Sequence, residues 1–283
     1  MKGPELLEQH VGTLVTSAGA FFPGERAVFR GHDLHASLKD MDWLELYLFG
    51  ITGRRFTPPQ MNVLHAIWTY TSYPDARLWN NRVAALAGTA RSTGSLGIAA
   101  ALAVSEAHIY GSGPLRRAVE FLIKARLSVK RGEILGDVVV AALRVGYIMG
   151  FGRPLTSSDE RIEPMMKLLC AHGLEGGVHV ELAFAVEKIL VARNSALRLN
   201  YAGLVAAVAA DLGLSSHEFY LFIFPLFLAG MPPCYLDAAD KTEGLLFPLP
   251  CRMMIYEGVP RRPWGKQTDN ENTNSFNATK GAS

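Results

Sequence analysis

Charge of either sign is sparse in this chain. Only 19% of its 283 residues are charged, and 28 Lys+Arg against 26 Asp+Glu leave a formal net charge of +2. A protein that coats DNA or RNA carries a basic excess or stripe, so no nucleic-acid partner is expected. Cysteine is scarce too. Cys170, Cys234 and Cys251 lie far apart with no CxxC spacing, which supports neither a disulfide framework nor a zinc finger and fits a reduced, cytoplasmic setting. No basic segment leads into an apolar stretch near the N-terminus, so a secretory signal is not expected. The most apolar run, from Phe219 to Gly230, is too short for a bilayer and contains Pro225. It reads as a buried helix, with no membrane partner.

The common chemical signatures are missing as well. GxxxxGK[ST], GxSxG, HExxH and the EF-hand loop do not occur. Gly111-Ser112-Gly113 is a fragment of a dinucleotide fingerprint, but it follows a helical pattern and lacks the third glycine. His32, Asp33 and His35 are close enough to share a metal, yet no further ligand is evident, and a cap at a helix start is the simpler role for His32-Asp33. No metal is expected. Cys170 sits at an apolar helix end, which is ordinarily inert packing.

What the chain does have is apolar helix. Hydrophobic residues make up 49% of it, enough for a large core and too many for disorder. Thr57-Pro58-Pro59-Gln60 is a capping-box start, followed by Met61, Leu64, Ile67 and Trp68 at helical spacing. Ser157 to Glu160 and Ser215 to Glu218 repeat that capping logic. Leu182, Val186, Ile189 and Leu190 form one stripe. The alanine-rich segments Ile98 to Val104 and Leu204 to Ala210 predict helices packed in the interior. Thr13 to Phe29 alternates like strands, with a turn at Pro23-Gly24. The expectation is an all-α fold of about a dozen helices behind a small N-terminal hairpin. From Trp264 to Ser283 the chain turns polar and can fill no core, so a disordered tail is expected there.

Arginine is the remaining chemical signal. Its planar fork suits carboxylates and phosphates and stays charged. Arg116 and Arg153 each follow a glycine-containing turn, Gly113-Pro114-Leu115 and Gly150-Phe151-Gly152, where the backbone can approach a ligand. An exposed helix pair is the competing reading for Arg116, because Glu120 lies four residues on.

An ordered set of short motifs resembles the citrate synthase and citryl-CoA lyase family in its short form. Arg30-Gly31-His32-Asp33-Leu34 is similar to its RGYDL, and Phe49-Gly50-Ile51-Thr52-Gly53-Arg54 to its helix ending in LLxG-x-LP. Gly113-Pro114-Leu115 and Gly150-Phe151-Gly152 match the turns before its two catalytic histidines. Asp159-Glu160-Arg161 stands at D-P-R, and Asn200-Tyr201-Ala202-Gly203 at N-V-D. Tyr256 to Pro260 with Arg261 resembles its closing Y-V-G-P and arginine. The resemblance spans nearly all of residues 12 to 262. It implies a helical fold with a larger domain (about 1–115 and 226–263) and a smaller one (about 116–225). It also implies a homodimer whose terminal arginine, Arg261 or Arg262, reaches the partner's site.

The departures from the family fall on its chemistry. Arg116 and Arg153 stand where it has histidines, and Ala202 where it has the aspartate base. Its D-H pair falls at Thr71-Ser72, and a carboxylate-binding arginine falls near Phe227. By this resemblance Arg116 and Arg153 are catalytic candidates, and Ser72, Arg161, Asn200, Arg261 and Arg262 are substrate-binding candidates. Alanine cannot abstract a proton, and arginine cannot cycle one, although it can donate to an enolate or a carboxylate. Loss of an essential acid–base group costs about 100- to 10,000-fold. Three readings follow. The chain acts on an acyl thioester (acyl-CoA) and a small carboxylate by C–C condensation or cleavage, with no cofactor beyond the thioester. Alternatively it is a non-catalytic homologue that binds an anion or a partner subunit. Finally, the likeness extends to the fold alone, with a site elsewhere.

Overall fold

The computed structural model describes residues 3–12, 14–153, 158–194, 196–246 and 248–259. Met1–Leu246 forms one compact unit. Phe247–Ser283 is a second unit, whose described part carries one short 3₁₀ turn at Cys251–Met253. Arg261, Arg262 and the polar tail lie outside the described residues.

A short helix α1 (Pro4–Glu8) precedes an antiparallel sheet of β1 (Gly19–Phe22), β2 (Arg26–Phe29) and β3 (His32–Asp33). The anticipated hairpin forms, with Gly19 opposite Phe29 and Phe22 opposite Arg26 around the Pro23-Gly24 turn. His32 and Asp33 do not begin a helix. They add a third strand against Phe29 and Val28. Asp33 nonetheless acts as a cap, since its Oδ1 accepts from the backbone N–H groups of His35 and Ala36, each at 2.9 Å.

The rest is helix: α2 (Trp43–Thr52), α3 (Pro58–Thr69), α4 (Trp79–Thr89), α5 (Gly94–Val104), α6 (Ser112–Lys130), α7 (Leu135–Val145), α8 (Ile162–Ala171), α9 (Val178–Val191), α10 (Tyr201–Asp211), α11 (Ser216–Ile223) and α12 (Met231–Ala239). The fold is all-α apart from the small sheet. Reciprocal capping boxes at Thr57/Gln60 and Ser215/Glu218 start α3 and α11 as their sequences predict. The third predicted box does not start α8. Ser157 lies outside the described residues, and α8 begins at Ile162 with Arg161 as an N-cap that makes no side-chain capping bond. The Asp159 carboxylate is committed elsewhere, to Arg161 and to the backbone of Tyr201.

The centre of the core is α10. Tyr201 and every residue from Gly203 to Ala209 are buried, and the small Gly203, Ala206, Ala207 and Ala209 let neighbouring helices come close. Leu115, Ala118, Val119 and Leu122 of α6 and Val180, Ala183, Val186 and Leu190 of α9 belong to the same cluster. Each fully buried leucine or phenylalanine there contributes about 1.5–3 kcal/mol. A smaller cluster joins Ala84 of α4, Ala101 of α5 and Met231 of α12.

Two apolar segments behave differently from their sequence reading. The run from Phe219 to Gly230 is not one helix. Pro225 removes a backbone donor and its ring crowds the preceding turn, so α11 ends at Ile223 and a 3₁₀ turn at Leu228–Gly230 leads into α12. By length and composition Ser216–Ala239 could cross a membrane, with a mean hydropathy of 1.6. Phe219, Phe222, Ile223, Leu226 and Met231 within it are packed in the core, while Phe224 and Leu236 are exposed. The alanine-rich α5 buries only Gly97 and Ala101. Leu96, Ala99, Ala100, Ala103 and Val104 are exposed, because only one side of α5 meets α4 and α12. Cys170, expected as packing, is exposed, whereas Cys234 is buried.

Candidate functional site

A cavity of about 280 Å³ opens where the first turn of α6, the loop at 149–153, Asp159 and Arg161, and the start of α10 converge. Leu226 and Phe227 complete one wall, and Thr71 borders it. The loop is stitched to the chain before α10 by backbone. Gly152 N–H donates to Arg198 O at 2.7 Å, Asn200 N–H donates to Gly150 O at 3.0 Å, and Phe151 and Leu199 form an isolated antiparallel bridge. Asn200 caps α10 by accepting from the Gly203 N–H at 3.2 Å, while its Nδ2 donates to Gly152 O at 2.7 Å. One side chain therefore fixes both the helix start and the glycine turn. At the crossing, the Gly150 and Gly203 backbones touch. A Cβ on Gly150 would stand 2.7 Å from the Gly203 Cα.

The floor is ionic. Arg161 donates to Asp159 in a two-pronged pair, Nε to Oδ1 at 2.8 Å and Nη2 to Oδ2 at 2.9 Å. Asp159 Oδ2 also accepts the Tyr201 N–H at 2.9 Å. The Asp159 side chain is 1% exposed. Burial alone would raise its carboxyl, but the Arg161 guanidinium and the Tyr201 N–H outweigh that and hold it below the ordinary range. Arg161 itself lies over the Tyr201 ring, 4.5 Å from its centroid, with the Tyr73 ring at 5.6 Å.

Arg153 enters from the loop. Its Nη1 donates to Glu160 Oε2 at 2.6 Å and to Ser158 O at 3.0 Å, and its Nε lies 3.8 Å from Asp159 Oδ2. The hydrogen bond from Arg153 holds the Glu160 carboxyl low. Tyr73 Oη donates to the other Glu160 oxygen at 3.2 Å. Two guanidinium groups and two carboxylates thus meet at the floor and balance in charge. The counter-anions that buried arginines require are supplied by the chain itself.

The sequence candidates separate here. Arg153, Arg161 and Asn200 line the cavity together, as does Ala202. Arg116 does not join them. Pro114 and Leu115 face the cavity, and the next residue is turned about 100° around α6 onto solvent. Arg116 is 54% exposed, donates to Glu120 at 3.0 Å and lies over the Tyr220 ring. The expectation of two arginines in one cleft fails for that reason, and the exposed-pair reading of Arg116 is the right one. Ser72 is corrected as well. Its hydroxyl donates back to Trp68 O at 2.8 Å, and its neighbour Thr71 is the residue that borders the cavity. Asp159 and Tyr201 were missed as site residues. The signal for Asp159 was its place two residues before Arg161. The signal for Tyr201 was its place beside Asn200.

The architecture and this cavity define a mainly helical class in which a glycine turn and the start of a central helix enclose a pocket with apolar walls and a charged floor. The particular fold is the citrate synthase type. The chain is similar to citryl-CoA lyase from Hydrogenobacter thermophilus, with a TM-score of 0.77 and 18% identity over 89% of this chain and 97% of that one. It is also similar to ATP citrate lyase from Methanothrix soehngenii in complex with citrate and coenzyme A, with a TM-score of 0.70 and 13% identity over 92% of this chain and 45% of that one. Citrate synthase from Thermoplasma acidophilum, in a ternary complex with carboxymethyl coenzyme A and oxaloacetate, matches at a TM-score of 0.59 and 16% identity over 79% of this chain and 58% of that one. No protein-family model and no curated protein sequence matches the chain.

Proposed function

We propose that the cavity binds a small carboxylate beside an acyl thioester, and that the chain acts on a carbon–carbon bond of such a substrate by condensation or cleavage. The observation that carries this reading is the convergence of Arg153, Arg161 and Asn200 on one cavity within a fold shared with citryl-CoA lyase and citrate synthase. Arg153 is the donor to the ligand. Its pair with the half-exposed Glu160 opens to the solvent side and can exchange for a ligand carboxylate, whereas Arg161 is locked to a buried partner. In cleavage the proton of the substrate hydroxyl leaves as the carbonyl forms, the pair of the broken carbon–carbon bond passes to the α-carbon of the thioester, and that carbon is then protonated; condensation is the same path reversed and calls on the same groups. The thioester is substrate, and no further cofactor is required.

The second reading, a non-catalytic binder or partner subunit, is favoured by one observation. Among the described residues, no ionisable group in the cavity lining is set up as a general base. Asp159 is held low by Arg161, burial pushes the Tyr201 phenol up, and position 202 is alanine. Ligand-dependent unfolding tests what both readings share. Acetyl-CoA, malonyl-CoA, free CoA and small dicarboxylates are each added to the chain, and a ligand at one hundred times its Kd stabilises by about 2.7 kcal/mol. Arg153→Ala is expected to remove most of the shift, and Arg116→Ala to leave it unchanged. No shift with any probe overturns both readings. Turnover of a citryl thioester by the wild type then selects the enzyme.

The homodimer belongs to the same proposal and is supported by the exposed apolar face of α5. Leu96 and Val104 are 68% and 42% exposed, with Ala99, Ala100 and Ala103 beside them. Twofold pairing would cover such a face. Sedimentation of Leu96→Glu/Val104→Glu is expected to give a monomer where the wild type gives a dimer. A monomeric wild type refutes the pairing. Arg261 and Arg262, the movement of a smaller domain at about 116–225 and a cytoplasmic setting are carried on the family resemblance.

A further inference from the structure

Four tyrosine hydroxyls in this chain donate to partners within it. Tyr47 donates to Leu221 O, Tyr73 to Glu160, Tyr220 to Glu106 and Tyr235 to Ser92 O. Tyr201 is different. It is 2% exposed, it lines the cavity, and its buried Oη has no hydrogen-bond partner among the described residues. A buried hydroxyl without a partner is destabilising, and phenylalanine would fill the same volume without that cost. The position is also rigid. The Tyr201 backbone N–H is held by Asp159, its ring is covered by Arg161, and the Tyr70 ring lies 6.4 Å away.

Most other polar groups at the floor are committed. Arg161 and Asp159 hold each other, Asn200 serves the α10 cap and Gly152, and Thr71 Oγ1 donates to Ile67 O, while Arg153 holds the exposed Glu160, a partner that the ligand can replace. We propose that the Tyr201 hydroxyl is a ligand-binding group, donating a hydrogen bond to an oxygen of the small carboxylate that the cavity takes. This rests on the carboxylate reading of the cavity and assigns it a specificity-determining residue. Burial keeps the phenol protonated, so it donates and does not act as a base. The ligand class is a carboxylate with an acceptor oxygen positioned over the start of α10.

The test compares the wild type with Tyr201→Phe, using citrate and oxaloacetate as probes in calorimetric titration and thermal unfolding. The unliganded variant is expected to melt higher than the wild type, because an unpaired buried hydroxyl has been removed. Its affinity for the probe that the wild type binds is expected to fall about tenfold. A purely structural hydroxyl would instead lower the unliganded melting point and leave affinity alone, and that result overturns the inference. Equal affinity in the two proteins also overturns it while the carboxylate reading stands. Absence of binding by the wild type overturns the carboxylate reading and this inference with it.

Discussion

Asp159→Ala is expected to cost about 3–5 kcal/mol of stability, the largest loss of any single change at the site. Removing one partner of a buried ion pair leaves the other charge uncompensated. Here the orphan is Arg161, whose guanidinium is stacked on Tyr201 and Tyr73 and cannot turn out to water without giving up those contacts. The same change frees the Tyr201 N–H at the first residue of α10, the most buried helix in the fold. Urea unfolding of wild type and variant measures the difference. A loss below about 1 kcal/mol, the range of an exposed pair, would mean that the pair is not what holds the floor. The carboxyl of Asp159 is lowered on folding, so it contributes stability that is present above its ordinary value of 3.8 and disappears as pH falls through its lower folded value. The wild-type urea midpoint is therefore expected to drop on acidification below that value, by an increment that Asp159→Asn lacks.

Gly150→Ala is expected to follow, with a loss of at least about 2 kcal/mol and loss of ligand response. Two causes act together. Gly150 has a φ of +95°, a region that costs an L-residue about 1–3 kcal/mol. Its new methyl would also meet Gly203 Cα at 2.7 Å and Gly203 N at 3.2 Å, which are backbone atoms of a buried helix with nowhere to move. Overpacking of this sort adds about 1–3 kcal/mol. The loop would have to lift from α10, carrying Arg153 away from the floor. Gly203→Ala acts on the same contact from the other side, since its methyl would run into Gly150 O. Because the two glycines share one contact, the double variant should lose clearly less than the sum of the singles. Additive losses in that cycle would count against the contact.

Local signals carried most of the architecture. The Thr57 and Ser215 capping boxes, the Pro23-Gly24 turn and the Leu182–Leu190 stripe involve residues within a few positions of one another, and the structure keeps each of them. The glycine turn before Arg153 was also legible and borders the cavity, whereas Gly113-Pro114-Leu115 proves to be the first helical turn of α6. Where the sequence misled, the deciding contact was distant or angular. Arg116 and Arg153 look alike beside their turns. One residue of helical rotation puts the first on solvent, and a loop bridged to Leu199 puts the second inside. The alanines of α5 and α10 are similarly apolar, yet only α10 is enclosed on all sides.

By itself, then, the sequence determined an all-α chain, its helix starts and the set of arginines that could serve a pocket, because caps, turns and periodicity are short-range. Only the tertiary structure decided which charges meet. Asp159 and Tyr201 are 42 positions apart in the chain, and no local pattern reveals that one carboxylate neutralises Arg161 and anchors the central helix at the N–H of Tyr201, a residue whose hydroxyl has no partner among the described residues.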